Sequence, residues 1–166
     1  LEKARKYITD VYETQQQILN MMADKIKDPT VSGLIRGKIS RAKELGISLN
    51  IDAATHLFAQ HGHIDSDALV TIIGNLVENA LEAVSRSHNE AGLVHIRIEE
   101  TDTAIEIEVK DTGSGIAEEN LSRLFERGYT SKPGSKGVGL AIVKQTVESL
   151  GGQIAVQSQP GTQTTF

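Results

Sequence analysis

Gly74-Asn75-Leu76-Val77-Glu78-Asn79-Ala80-Leu81-Glu82-Ala83 lies inside a longer run with a helical period. From Asp67 to about Ser85, apolar residues fall at Leu69, Ile72, Ile73, Leu76, Val77, Ala80, Leu81 and Val84. That is the spacing of a helix with one buried face. Asn75 and Asn79 stand four apart on it, with Glu78 and Glu82 beside them, so all four are neighbours on the helix surface. Amide and carboxylate oxygens in such a row suit Mg²⁺, a hard cation that keeps part of its water. Read alone, the stripe equally fits a polar, solvent-facing edge.

Downstream, Val94/Ile96/Ile98 and Ile105/Ile107/Val109 alternate with polar residues, which predicts two strands at about 93–100 and 104–110, each with one buried and one wet face. Directly after the second comes Asp111-Thr112-Gly113-Ser114-Gly115-Ile116. Glycines at alternate positions let backbone approach a ligand closely. A carboxylate at the strand end can accept a hydrogen bond from an exocyclic amine. A tight turn is the plainer alternative. A third stretch, Ser135-Lys136-Gly137-Val138-Gly139-Leu140, opens a helix at about 138–150 that Gly151-Gly152 stops. Glycine-rich backbone at a helix N-terminus offers N–H groups and the positive dipole end to phosphate. Gly128, Pro133, Gly134 and Gly137 make the preceding segment a candidate lid. A strand with Ile154 and Val156 and a last one from Thr164 are expected to complete the sheet.

Upstream, Ile47, Leu49 and Ile51 alternate as a strand, and residues 53–66 read as an irregular loop carrying His56, His61 and His63. Their spacings of five and two could serve a metal, but with no carboxylate or Cys pattern to complete a shell those three are expected to be solvated, as is His88, with His95 on the wet face of its strand. Residues 2–27 read as helix. Asp28-Pro29 breaks it and restarts a second helix, with Asp28 as N-cap and Pro29 at the first helical position. That helix runs to about Leu45 before Gly46, with Val31, Leu34/Ile35, Ile39 and Ala42 on one stripe that needs a partner. The order predicts a mixed sheet covered by helices on one face, an α/β sandwich of the α+β class, preceded by a helical segment.

The 166 residues carry a formal charge of -5 and no Cys. The missing thiols exclude a disulfide framework, a Cys-based zinc site and thiol catalysis. No signal peptide is present, and no apolar stretch approaches the ~18 residues that would read as a membrane span. The charge is uneven. Residues 1–46 hold nine bases and six acids, hence +3, and residues 47–166 hold eight bases and sixteen acids, hence -8. Within the acidic part, residues 123–144 hold Arg123, Arg127, Lys132, Lys136 and Lys144 against Glu126 alone. An acidic chain with one basic stretch, 4% aromatics and no Trp is a poor nucleic-acid binder but can hold a small polyanion.

Together, the three stretches resemble the nucleotide-binding domain shared by sensor histidine kinases, DNA gyrase, Hsp90 and MutL. Asn75–Asn79 matches its N box and Asp111–Gly115 its G1 box. Phe125-Glu126-Arg127-Gly128-Tyr129-Thr130 looks like its F box, and Gly137–Leu140 matches its G2 box. The resemblance covers about residues 47–166 and implies a Bergerat-type ATP-binding fold using ATP and Mg²⁺. It implies that Asn79 ligands Mg²⁺ and that Asp111 contacts the adenine amino group, with Gly113 and Gly115 in the same turn. Gly137, Val138, Gly139 and Leu140 would offer amides to phosphates under a lid carrying Phe125, Arg127, Lys132 and Lys136. Thr164 would lie near the adenine pocket, although Gln163 stands where many members have Gly.

Hydrolysing members carry a Glu as general base at the position of Asn75. Asn cannot take a proton, whereas a neutral imidazole is already a nucleophile and needs no such base. Asn75 therefore favours phosphoryl transfer to histidine, with Glu78 the remaining carboxylate for a base role and Lys132 a candidate to meet phosphate charge. The details look closest to citrate/C4-dicarboxylate-type sensor kinases. By that likeness, residues 1–46 are the rear of a dimerisation hairpin and its linker, and 47–166 an ATP-binding domain cut short at Phe166. Leu1 in place of a Met start also suggests a piece of a larger protein. No His precedes His56, so the phosphoacceptor is expected on a hairpin outside this chain. The expected partners are that hairpin and a response regulator. The parent is expected to be a homodimer anchored in the inner membrane, with this part cytoplasmic. Rival readings are a nucleotide-binding adaptor without kinase activity and a gyrase- or Hsp90-type ATPase.

Overall fold

Asp28 is where the chain enters its main body. Its extended backbone and its carboxylate, accepting from the Thr30 and Val31 amides at 2.8 and 3.0 Å, cap helix α1 (Pro29–Glu44). The computed structural model describes residues 22, 24–87, 91–130 and 136–166. Most of the helix expected over 2–27, together with His88, Lys132 and Ser135, lies outside the described residues. Leu45 caps α1 at its C-terminus, and Gly46 follows with φ of 70°, the left-handed geometry that releases the chain from a helix.

Strand β1 (Ser48–Ile51) buries Leu49 and Ile51 and pairs parallel with β2 (Leu93–Glu100), Ser48 opposite Leu93. Between them runs α2 (Ser66–Arg86), capped by Asp65 and burying all eight apolar residues read from its period. By length and composition α2 could cross a membrane, but that buried face is the core of this body. β3 (Ile105–Asp111) returns antiparallel to β2. The short α3 (Glu118–Leu121), α4 (Gly139–Ser149) and the hairpin of β4 (Gln157–Gln159) and β5 (Gln163–Thr165) complete the order. The sheet runs β1-β2-β3-β5-β4. Val94, Ile96 and Ile98 face the helices, while Arg97 on the opposite face pairs with Glu99, Glu106 and Glu108. The mixed sheet covered on one face is the expected architecture.

Three expectations change. The strand placed on Ile154 and Val156 begins at Gln157 instead. Gln157, opposite Thr165, is its first paired residue. The apolar stripe of α1 finds its partner within the chain: Val31, Ile35 and Ala42 are buried in one core with α2 and β1. The charge break at residue 46 is therefore not a break in packing. His61 is enclosed rather than solvated, because the loop carrying it folds between Asp28 and Glu100.

Candidate functional site

Asp111 ends β3 at 2% exposure, between Val94 of β2 and Thr164 of β5. Its Oδ1 accepts the Gly113 N–H at 2.8 Å. No other hydrogen bond to this carboxyl is seen among the described residues. Burial outweighs that one bond and pushes the Asp111 pKa up to about 6. The carboxyl thus sits half desolvated, short of donors, on the wall of a cavity of about 250 Å³. Asn79, Ala83 and Arg86 of α2 form one side of this cavity. Gly115, Leu140, Thr164 and Phe166 form others.

The glycines are fixed by close approach. A Cβ on Gly113 would lie 2.7 Å from the Ala83 carbonyl carbon, so the turn after β3 rests directly on α2. Gly115, at φ 66°, passes so close to the Gln159 carbonyl oxygen that a Cβ would lie 2.2 Å from it. The turn is tied to the β4–β5 hairpin from both sides: the Ile116 N–H donates to Ser158 Oγ at 2.8 Å, and the Gly161 N–H to the Ser114 carbonyl at 2.7 Å. Thr164, 3% exposed, meets the same Ser158 hydroxyl at 3.0 Å. Gly137 (φ 59°) packs on the Tyr129 carbonyl, and its own carbonyl accepts the Gly128 N–H at 2.8 Å. This closes the loop between Gly128 and α4 against its own start.

Val138 leads into α4, and its own side chain makes no capping hydrogen bond. A helix start offers its first N–H groups and the positive end of its dipole to an acceptor. Asn75 stands against that helix start. Its Nδ2 donates to the Thr71 carbonyl at 2.8 Å, and its Oδ1 lies 2.9 Å from where a Gly139 Cβ would be. Asn79, one turn on, reaches the cavity itself.

Not every residue singled out from the sequence converges here. Glu78 turns to the opposite flank of α2, where Lys38 of α1 holds it at 2.5 Å, and it does not line the cavity. One residue's step rotates about 100° around a helix, so neighbours of a stripe need not share its destination. Glu78→Gln is expected to cost at most about 1 kcal/mol, as for a partly exposed pair, and to leave nucleotide affinity unchanged in a binding titration. Phe125 sits edge-on to Phe166, with centroids 6.4 Å apart. Arg127 and Lys136 are exposed outside the cavity lining, and Lys132 is among the residues not described. Arg86, Asn120 and Tyr129 line the cavity without having been foreseen. Arg86 was legible, seven residues after Asn79 on the same face. The Arg123 guanidinium lies 4.7 Å over the Tyr129 ring.

The profile of the family described as Histidine kinase-, DNA gyrase B-, and HSP90-like ATPase matches residues 64–166, which include α2, the turn after Asp111 and the start of α4. The chain belongs to that family. Within it, this ATPase-family domain is 36% identical over 166 residues to a probable C4-dicarboxylate sensor kinase of Halalkalibacterium halodurans, covering 99% of this chain and 31% of the relative. It is 37% identical over 160 residues to the sensor histidine kinase DcuS of Escherichia coli K12, covering 96% of this chain and 29% of DcuS. The chain therefore spans less than a third of the length of these relatives. Among solved structures, the catalytic domain of the histidine kinase ThkA superposes with a TM-score of 0.64 at 25% identity, covering 82% of this chain and 92% of that one.

Proposed function

We propose that this chain is the ATP-binding catalytic body of a two-component sensor histidine kinase, presenting the γ-phosphoryl group of MgATP to a histidine on a separate hairpin. The observation that carries the reading is the buried Asp111 carboxyl, short of donors, on a cavity shared with Asn79 and Leu140. It suits an exocyclic amine, and the N-terminus of α4, which begins at Gly139, suits phosphate. ATP would supply the phosphoryl group and Mg²⁺ would neutralise its charge. The chain's own residues would do the positioning. Asp111 selects the amine, with Gly113, Gly115 and Thr164 shaping that end and Phe125 closing it against Phe166. Asn79 offers a metal ligand. The amides of Gly137, Val138, Gly139 and Leu140 take the phosphates, and Arg127, Lys132 and Lys136 add positive charge from the segment before α4. Asn75, its Nδ2 bound to a backbone carbonyl, braces the start of α4 and is no base, which favours transfer to a histidine over hydrolysis. Glu78, bound by Lys38, is then left with a structural role.

We propose residues 1–46 as the rear of the dimerisation hairpin and its linker, with α1 of that segment packed on the ATP-binding body. The hairpin, a response regulator, a homodimeric parent and its inner-membrane anchor follow from likeness to the sensor kinases. The test is nucleotide titration with and without Mg²⁺, then mixing with an intact hairpin and assaying acid-labile phosphate. Binding followed by such phosphate supports the reading. Fast ATP turnover by the chain alone would favour a hydrolase, and absence of binding at millimolar MgATP a non-catalytic adaptor. In Asn79→Ala, Mg²⁺-dependent binding is expected to weaken more than Mg²⁺-free binding. An equal loss would remove its metal role.

A pH dependence follows from Asp111. Its pKa is raised in the folded chain, and an amine donor prefers the ionised form. Affinity for adenosine, which has no titrating phosphate, should rise by up to about tenfold per pH unit towards pH 6 and level off above it. A flat profile by calorimetry over that range would mean that adenosine does not meet Asp111.

A further inference from the structure

Far from the cavity, three charged side chains meet in the interior. Asp28 comes from the cap of α1, His61 from the loop before α2, and Glu100 from the end of β2; they are 0%, 8% and 6% exposed. His61 Nε2 lies 2.8 Å from Asp28 Oδ2, and its Nδ1 lies 2.9 Å from Glu100 Oε2. Each carboxylate is otherwise occupied by donors. Asp28 accepts from the Thr30 and Val31 amides and from the Ser66 hydroxyl at 2.5 Å. Glu100 accepts the Phe58 N–H at 2.7 Å. Asp28 is an acceptor on every side and Glu100 accepts from Phe58, so with both acids ionised both ring nitrogens donate, which only an imidazolium can do.

The same cluster lies where the preceding segment docks. The Lys27 N–H donates to the Leu57 carbonyl and the Leu57 N–H to the Lys25 carbonyl, both at 2.8 Å. The Lys25 ammonium reaches the Ala53 carbonyl. Met22, Ile26 and Leu57 are buried beneath this short ladder. The loop carrying His61 is thus held on one side by the incoming segment and on the other by the sheet.

We propose that Asp28, His61 and Glu100 form a proton-dependent latch that holds residues 24–28 on the nucleotide-binding body, closed while both His61 nitrogens carry protons. Loss of one proton leaves a buried carboxylate facing a lone pair, and the ladder at 25–27 and 57 loosens with it. Its use as a regulatory joint between the hairpin side and the ATP body rests on the function proposed above. The latch itself does not.

The groups facing the ring are Asp28 from α1 and Glu100 from β2, with Ser66 of α2 and the Phe58 amide completing their shells. Burial pulls the imidazolium pKa down, but the Asp28 and Glu100 bonds outweigh it and leave His61 above its ordinary 6.5. For Asp28, burial raises the pKa, yet the bonds from Ser66, Val31, His61 and Thr30 bring it below 3.8. A raised basic group stabilises fully below its unfolded value and loses that contribution as pH climbs through the folded one. A lowered acid fails only as pH drops through its folded value. The latch is therefore closed from mildly acidic pH up to the raised His61 pKa and opens above it.

The test uses the whole chain without nucleotide. Nitrogen-detected NMR should show His61 protonated on both ring nitrogens at about pH 6.5. Amide exchange at Lys27 and Leu57, corrected for intrinsic rates, should quicken about tenfold or more as His61 titrates. In His61→Gln these amides should exchange quickly at every pH. In Glu100→Gln, which keeps the Asp28 contact, the His61 pKa should fall. A singly protonated His61 at pH 6.5 in the unsubstituted chain, or ladder exchange blind to its titration, would overturn the latch. Failure of adenosine to bind while His61 titrates as described would count against the functional reading alone.

Discussion

Asp111→Asn is expected to reduce affinity for ATP by about tenfold to a hundredfold, with the fold intact. Asn keeps an oxygen for the Gly113 N–H, now at 2.8 Å from Oδ1, but turns an amide N–H₂ towards a ligand amine. Two donors then face each other in a site from which water is largely excluded. Such a buried mismatch costs about 1–3 kcal/mol, and each 1.4 kcal/mol is tenfold in binding. Stability should not fall. Burial already raises the Asp111 pKa to about 6, so the ionised carboxylate is a burden on the fold at neutral pH, and the substitution removes that charge. Guanine nucleotides, which present a carbonyl where adenine has its amine, should lose less or gain. The check is calorimetric titration of both proteins with MgATP and MgGTP beside thermal unfolding. Unchanged ATP affinity would mean that the adenine does not lie against β3.

Gly115→Ala should be the more damaging change to the molecule as a whole. The position has φ of 66°, and the added methyl would stand 2.2 Å from the Gln159 carbonyl oxygen, a backbone atom that cannot swing aside. Left-handed backbone costs an alanine roughly 1–2 kcal/mol, and forcing the hairpin to move adds about 1–3 kcal/mol. A loss of about 2–5 kcal/mol is expected in urea unfolding. Breakage of the Ile116–Ser158 and Gly161–Ser114 hydrogen bonds should open the cavity at the same time. Gly151 is a useful control: it too has positive φ, at 75°, but nothing lies within 4 Å of its Cβ position. Gly151→Ala should cost only the backbone part.

Much of the fold was legible because it depends on local period. The α2 stripe, the alternation in β2 and β3 and the Asp28-Pro29 start of α1 each follow from neighbours within a turn or a pleat. So did the cavity's main residues, since Asn79, Asp111 and Leu140 stand at fixed offsets from helix and strand ends. Contacts between distant segments were less legible. His61 looked like a polar loop residue, and only Asp28 and Glu100, 33 and 39 positions away, make it a buried cation. Glu78 looked like part of the Asn79 stripe until α1 supplied Lys38. The strand expected at Ile154 starts three residues later, at Gln157, because pattern alone does not set where pairing begins.

The parallel pairing of β1 with β2 sets an order of assembly. Ser48 meets Leu93, 45 positions on, with all of α2 in between. Closing so long a loop loses chain entropy before any ladder forms. β2 and β3, joined by the tight turn at Thr101–Ala104, meet with almost no such loss. The β2–β3 hairpin with α2 laid across it is therefore the natural folding nucleus, and β1 and α1 arrive late. What docks last is also the first to leave in a partial opening. The α1 end of this body is then the end that can detach while the cavity beside Asp111 keeps its shape.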